Sequence, residues 1–170
     1  MKFIVDGMLG KLTRWLRILG HNAKYSTKLD DNKLIEIAKK EDRVLLTKDL
    51  QLYQQATTKG VEAFYLRGGT EDERLAELAA RFNIKLGIDI TLSRCPKCNA
   101  KIRTIPKAKA AKKVEKNTFE HYDEFWKCLK CKQVYWQGAH WQKIGKTLNE
   151  AKANLRDLKE KSEERFSVAR

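Results

Sequence analysis

Two C-x-x-C pairs, Cys95-Pro96-Lys97-Cys98 and Cys128-Leu129-Lys130-Cys131, stand 29 residues apart in a chain of 170. No other feature limits the possible folds as tightly. Each pair sets two sulfurs on one turn, and two such turns facing each other complete a tetrahedral four-sulfur shell suited to one zinc ion. Pro96 stiffens the first turn, and Asn99 after it tolerates positive φ. Lys132 holds the equivalent place in the second turn, where glycine would be easier. A shell filled by four protein ligands is closed, which argues for a structural rather than a catalytic zinc. Such sites supply roughly 10–16 kcal/mol in small peptides, more than a module this small can bury. The same ligands also suit an iron–sulfur cluster. Four unrelated core thiols, or two disulfides, are the remaining readings. The run Phe3-Ile4-Val5 meets Asp6 too soon for a secretory signal. The chain therefore reads as cytoplasmic, where cysteines serve as thiolates or ligands. No run approaches 18 apolar residues, which excludes a membrane helix.

Around the cysteines the chain has two grammars. Residues 2–92 alternate short apolar runs with helical periods. Phe3-Ile4-Val5 is a strand, and Leu12, Trp15, Leu16 and Leu19 lie on one helical face closed by Gly20. Residues 23–26 form a short strand, and a helix follows Asp30-Asp31. Val44–Thr47 is a buried strand, followed by a helix over 50–59, a strand from Val61 to Leu66 and a helix carrying Leu75, Leu78, Ala79 and Phe82. This order predicts an α/β fold, a parallel sheet flanked by helices. After Ser93 periodic apolar positions become scarce, and Pro106–Lys116 is a Lys/Ala tract, a candidate for phosphate contact with a solvated loop as the plainer reading. From Trp141 through Ile144, Leu148, Ala151, Leu155 and Leu158 a long amphipathic helix is expected, fraying near Ser162. Three segments follow: 1–92 as the α/β domain, 93–141 as the cysteine module with its basic insert, and 142–170 as helix and tail. The apolar stripe of the last segment packs on its own domain or serves as an oligomer or partner contact.

Charge divides along the same line. The formal net charge is +14; residues 1–92 carry 16 basic against 13 acidic side chains, and residues 93–170 carry 20 against 9. A surplus of this size points to a polyanionic partner. Arg94, Lys97, Arg103, Lys112 and Lys113 are the candidate phosphate contacts of the module. Seven of fifteen aromatics fall within residues 119–141. They read as the module's small core, with base stacking as the competing use.

The nearly balanced first segment places Asp6 after one strand and Asp49 after another, at the edge where parallel sheets build their sites. Asp30 and Asp31 open a helix leading to the same edge. Oxygen ligands without His or Cys favour Mg²⁺ or Mn²⁺ over zinc. Such an ion can activate water against a phosphodiester. Each acid also has a plainer use, Asp31 and Asp49 as helix caps.

Val5-Asp6-Gly7-Met8-Leu9-Gly10-Lys11-Leu12, Arg14-Trp15-Leu16-Arg17, Leu29-Asp30-Asp31 and Arg43–Asp49 resemble the Mut7-C RNase family. So do Arg94–Asn99, Phe125–Cys131 and Val134–Trp141, and the resemblance spans about residues 2–148. It implies a PIN-like nuclease domain with a zinc ribbon behind it, and metal-dependent endoribonuclease activity. Carried over by position, Asp6, Asp31 and Asp49 are the catalytic acids, with Asp30 as substitute for Asp31. Thr70, Glu71 and Asp72 stand in the region of a fourth. Cys95, Cys98, Cys128 and Cys131 hold zinc. Lys11, Arg14, Arg17 and Lys48 join the candidate RNA contacts. The competing reading is an RNA- or ribosome-binding protein, with rRNA as a partner, whose nuclease-like domain is degenerate. A third is a regulatory nuclease restrained by a partner.

Overall fold

In the computed structural model, residues 1–168 are described for the backbone and 1–164 for the side chains. The last two residues of the expected tail, 169–170, lie outside the described residues.

Four strands, β1 (Lys2–Val5), β2 (Asn22–Tyr25), β3 (Val44–Thr47) and β4 (Ala63–Tyr65), form a parallel sheet in the order β2-β1-β3-β4. Between them run α1 (Gly10–Ile18), α2 (Asp31–Glu41) and α3 (Leu50–Thr58), and α4 (Glu71–Phe82) follows β4. The period-two alternation of strand side chains sorts the core into two layers. Phe3, Val5, Val44 and Leu46 face α1 and α4, where they meet Leu12, Leu16, Leu75 and Leu78. Ile4 and Leu45 face the other way, onto Leu34, Ile35 and Ala38 of α2 and Leu52 and Ala56 of α3. Because β1 and β3 are covered on both faces, they read as unbroken apolar runs.

The cysteine module is a separate three-stranded antiparallel sheet in the order β5-β6-β7: β5 (Ile102–Ile105), β6 (Phe125–Cys128) and β7 (Val134–Tyr135). Its core is small: Ile105, Ala110, Phe125 and Val134, with Val114, Tyr122 and Trp136 packed around them. The Lys/Ala tract is not simply a loop. A 3₁₀ turn at Lys107–Lys109 places Ala110 fully in that core, and α5 (Lys116–His121) follows.

The last helix, α6 (His140–Val168), continues past the expected fraying point at Ser162. Leu148 and Ala151 are buried in the core shared with α1 and α4, with Ile144 and Leu155 packed beside them. Burying Leu148 alone is worth about 1.5–3 kcal/mol. Asn154 Nδ2 donates to Asp72 Oδ2 on α4 at 2.8 Å. From Ile144 to Leu155 the stripe is thus covered by the chain's own α/β part, while Leu158 is exposed. Among the described residues no helix is long and apolar enough to cross a membrane.

Candidate functional site

The strand order reverses between β1 and β3, since β2 lies to one side of β1 and β3 to the other. In open α/β sheets the carboxyl ends of the strands at such a reversal form the binding crevice. Asp6 and Asp49 stand there. Asp6 is held by its backbone N–H, which donates to the carbonyl of Leu46 at 3.0 Å. The buried hydroxyl of Thr47 donates to Asp6 Oδ2 at 2.8 Å and accepts the Asp49 N–H at 2.9 Å. One hydroxyl therefore fixes both acids. The family resemblance marks Thr47 as the threonine of a Thr-x-Asp signature ending at Asp49, but the sequence gives it no role of its own. Tyr25 steadies the loop after Asp6, its hydroxyl donating to the carbonyl of Gly7 at 2.9 Å. Gly10 makes room for that ring, because a Cβ there would lie 2.7 Å from the Tyr25 oxygen.

The helix-start acids divide the two roles between them. Asp30, not Asp31, caps α2, accepting the Lys33 N–H at 2.8 Å. Asp31, the first residue of α2, is instead pushed above the usual carboxylate range, by burial first and then by the charges of Asp49, Asp6 and Asp30. Asp49 does cap α3, with Oδ1 accepting from Gln51 N at 2.7 Å and Leu52 N at 3.1 Å. Asp6, Asp31 and Asp49 thus share one electrostatic neighbourhood. Their all-oxygen donor set suits Mg²⁺ or Mn²⁺. Their oxygens do not converge as closely as the sulfurs described next. In the fourth-acid region, Thr70 caps α4 and Asp72 pairs with Asn154. Glu71 Oε1 pairs with Arg74, while its Oε2 is buried without a partner.

Among the described residues, Cys95, Cys98, Cys128 and Cys131 form the one group of three or more candidate ligands lying within 4.8 Å of one another. Sulfur separations of 3.6 Å (Cys95–Cys131) and 3.4 Å (Cys98–Cys128) are too long for disulfides. They are close to the edge of a zinc–sulfur tetrahedron, about 3.8 Å for bonds near 2.3 Å. The four sulfurs are thus close enough to hold a metal ion and compatible with zinc. Asn99 and Lys132, each following the second cysteine of its pair, adopt φ of 67° and 64°. Lysine accepts the left-handed region there at a cost of about 1–2 kcal/mol. The backbone N–H groups of Lys130 and Cys131 point at Cys128 Sγ, both at 3.4 Å. Without an ion, burial pushes the Cys95 thiol up to about 12. Burial also raises Cys98, but the Ala100 N–H and the thiols of Cys128, Cys95 and Cys131 outweigh it and bring Cys98 to about 6. Tyr135, also not foreseen as a site residue, lies with its hydroxyl 3.0 Å from Cys95 Sγ.

The first cysteine turn is docked on the α/β part. Arg17, expected as an RNA contact, is buried: Nε donates to the Ala23 carbonyl at 2.9 Å and Nη1 to those of Pro96 (2.8 Å) and Lys97 (3.3 Å). It is placed as a joint between the two sheets. Asn99 Oδ1 accepts the Ala23 N–H at 3.2 Å, and its Nδ2 donates to Asn22 Oδ1 at 2.8 Å. Ser93 Oγ donates to the Ile18 carbonyl at 2.6 Å.

This docking encloses an open cleft of about 860 Å³. Lys11, Arg14 and Arg74 come from the α/β part and Lys97 from the cysteine turn; Gly7 and Met8, next to Asp6, and Glu71 complete its walls. Of the remaining candidate contacts, Lys48 Nζ is bound to the Gly68 carbonyl (3.1 Å) and Arg94 Nη1 to that of Asn99 (2.6 Å). Arg103, Lys112 and Lys113 are exposed. The Lys127 ammonium is held below its usual range, first by the charge of Lys113, then by burial, then by Lys132, with Arg103 adding to them.

The family model described as the Mut7-C RNAse domain matches residues 1–148. Neither the curated proteins nor the solved structures provide a match to the chain.

Proposed function

The chain belongs to the Mut7-C RNAse domain family, and from that membership we propose that it is a metal-dependent endoribonuclease acting on single-stranded regions of RNA. The observation that carries the reading is the single Thr47 hydroxyl that fixes Asp6 and Asp49 at the reversal of strand order, beside a basic cleft. Asp6, Asp31 and Asp49 would hold Mg²⁺ or Mn²⁺, and Glu71 is the best-placed fourth acid because its free oxygen sits in a residue lining the cleft. The ion, when bound, supplies charge neutralisation and an acidified water for in-line attack on phosphorus. Lys11, Arg14 and Lys97 would bind phosphates and orient the strand, while Arg74 is held on Glu71 and the Gly68 and Gly69 carbonyls. Cys95, Cys98, Cys128 and Cys131 would hold a structural zinc that fixes one wall of the cleft. PIN-like identity of the first sheet and a cytoplasmic setting belong to the same proposal.

The test is to incubate zinc-loaded protein with structured and unstructured RNAs, with Mg²⁺, with Mn²⁺ and with neither. Asp6→Asn should lose at least about a hundredfold in cleavage while keeping its fold. Full activity in a rigorously purified Asp6→Asn protein refutes the assignment. Tight, salt-dependent binding with no product from the wild type selects the degenerate-domain reading instead.

A further inference from the structure

The cysteine module carries a second feature that the cleft does not use. One face of its sheet holds Arg103, Ile105, Phe125, Lys127 and Val134, because residues opposite each other in an antiparallel ladder share a face. Trp136, two residues beyond Val134, packs with the same cluster. At the β7 edge of this sheet lies a pocket of about 560 Å³, within the range of small-ligand sites. Tyr122, Tyr135 and Trp136 supply its aromatic walls, and Asn117, Gln133 and His121 its polar groups. Among the described residues no carboxylate, lysine or arginine lines it. Aromatic faces combined with neutral donors and acceptors suit a flat heteroaromatic ring with hydrogen-bonding edges.

Charge begins one ladder position away. Val134 lines the pocket and stands directly opposite Lys127, which in turn stands opposite Arg103. Lys113 and Lys132 neighbour the same ammonium. Like charges placed directly across strands are destabilising, and an anion between them relieves the cost. Lys127 thus sits on the strand next to the pocket's Val134, and Arg103 one strand further.

We propose that the β7 edge of this module binds one unstacked nucleotide of single-stranded RNA, its base in the Tyr122–Trp136 pocket and its phosphate on Arg103, Lys113 and Lys127. The proposal rests on RNA being the ligand, and adds that the module reads a base as well as the backbone. A grip on one base would fix the position of the strand relative to the cleft.

The test measures binding by fluorescence anisotropy, using the full zinc-loaded chain without Mg²⁺ or Mn²⁺. The probes are a labelled single-stranded oligoribonucleotide and an abasic oligomer of equal length and charge. The base-bearing probe should bind more tightly. Trp136→Ala should weaken it by about fivefold to a hundredfold, the range for one lost stack, and leave the abasic probe unchanged. Trp136→Phe should retain most of the affinity. Lys127→Ala should weaken both probes alike and reduce the salt slope by about one. Should Trp136→Ala fail to fold, Gly138→Ala decides. A Cβ at Gly138 would lie 2.7 Å from Trp136 Nε1 and must displace the indole, so the base-dependent part of binding should fall with zinc content intact. Equal wild-type affinity for the two probes overturns the base pocket while leaving the RNA reading standing. So does wild-type binding by a folded Trp136→Ala or by Gly138→Ala. Failure of both probes to bind overturns the pocket and the RNA reading together.

Discussion

Replacing Thr47 by valine removes one oxygen atom and should disturb both halves of the proposed acid pair. The side chain is fully buried, and valine keeps its shape. The hydrogen bond to the Asp6 carboxylate is of the charged kind, worth about 1.5–3 kcal/mol. The Asp49 N–H loses its acceptor as well, while the added methyl returns about 0.8 kcal/mol. The net destabilisation is about 1–3 kcal/mol, which for a chain of this size lowers Tm by about 3–10 °C. The effect on turnover should be larger than the effect on stability, because carboxylates displaced by about 1 Å can cost about a hundredfold in rate. The assay pairs thermal melts with RNA cleavage titrated against Mn²⁺. Thr47→Val should need more Mn²⁺ and cleave far more slowly, and Thr47→Ser, which restores the hydroxyl, should recover both. A Thr47→Val protein that matches the wild type in Tm, Mn²⁺ dependence and rate would show that the hydroxyl positions nothing.

Arg17→Met should cost about 2–4 kcal/mol, since it strands the buried Ala23 carbonyl while those of Pro96 and Lys97, on the cleft wall, can be hydrated. Tm should fall by about 5–10 °C, and a colorimetric chelator should withdraw zinc faster from the variant. Unchanged melting and release would remove Arg17 from the joint. His21 is held down at about 4, by burial first and then by the Met1 amino group, against an ordinary 6.5. Its folded value lies below its unfolded one, so its contribution is complete above pH 6.5 and is lost as pH falls from there through about 4. His21→Gln should flatten that limb of the Tm–pH curve by up to about 2 kcal/mol, a figure discounted for the exposed side of the ring. An acid limb as steep as in the wild type would refute the assignment.

What the sequence made legible followed burial. Val44–Thr47, buried at every position, was readable as a strand to the residue. Asn22–Tyr25, an edge strand with Ala23 as its one buried residue, was readable only to within a position. The strand expected from Val61 to Leu66 is shorter, Ala63–Tyr65, although Leu66 N–H still donates to the Thr47 carbonyl of β3 at 2.9 Å and both ends of the run are core residues. The four cysteines announced their cluster because spacing alone determines it. The acids were placed on the correct edge, but the allocation of Asp30 to the cap and Asp31 to the acid neighbourhood depends on where α2 begins, which a one-residue shift reverses. Arg17 was unreadable in principle: its partners Pro96 and Lys97 are about eighty residues away, and nothing in a helix-face arginine distinguishes a joint from a phosphate contact. The strand order, which turns two separate aspartates into one crevice, is likewise a property of the assembled sheet.

Ala23 lies in β2, an outer strand of the parallel sheet, and both its backbone groups are taken by side chains rather than by another strand: the N–H by Asn99 and the carbonyl by Arg17. An outer strand with free amides is a template for a second chain. Here the first cysteine turn plugs the template, and Arg17 grips the same turn through Pro96 and Lys97. The cysteine turn thereby shields a β-edge, a role separate from any chemistry on RNA. Where the proposed zinc holds that turn in place, chelating it should uncover the edge, and light scattering should rise ahead of any change at the acids.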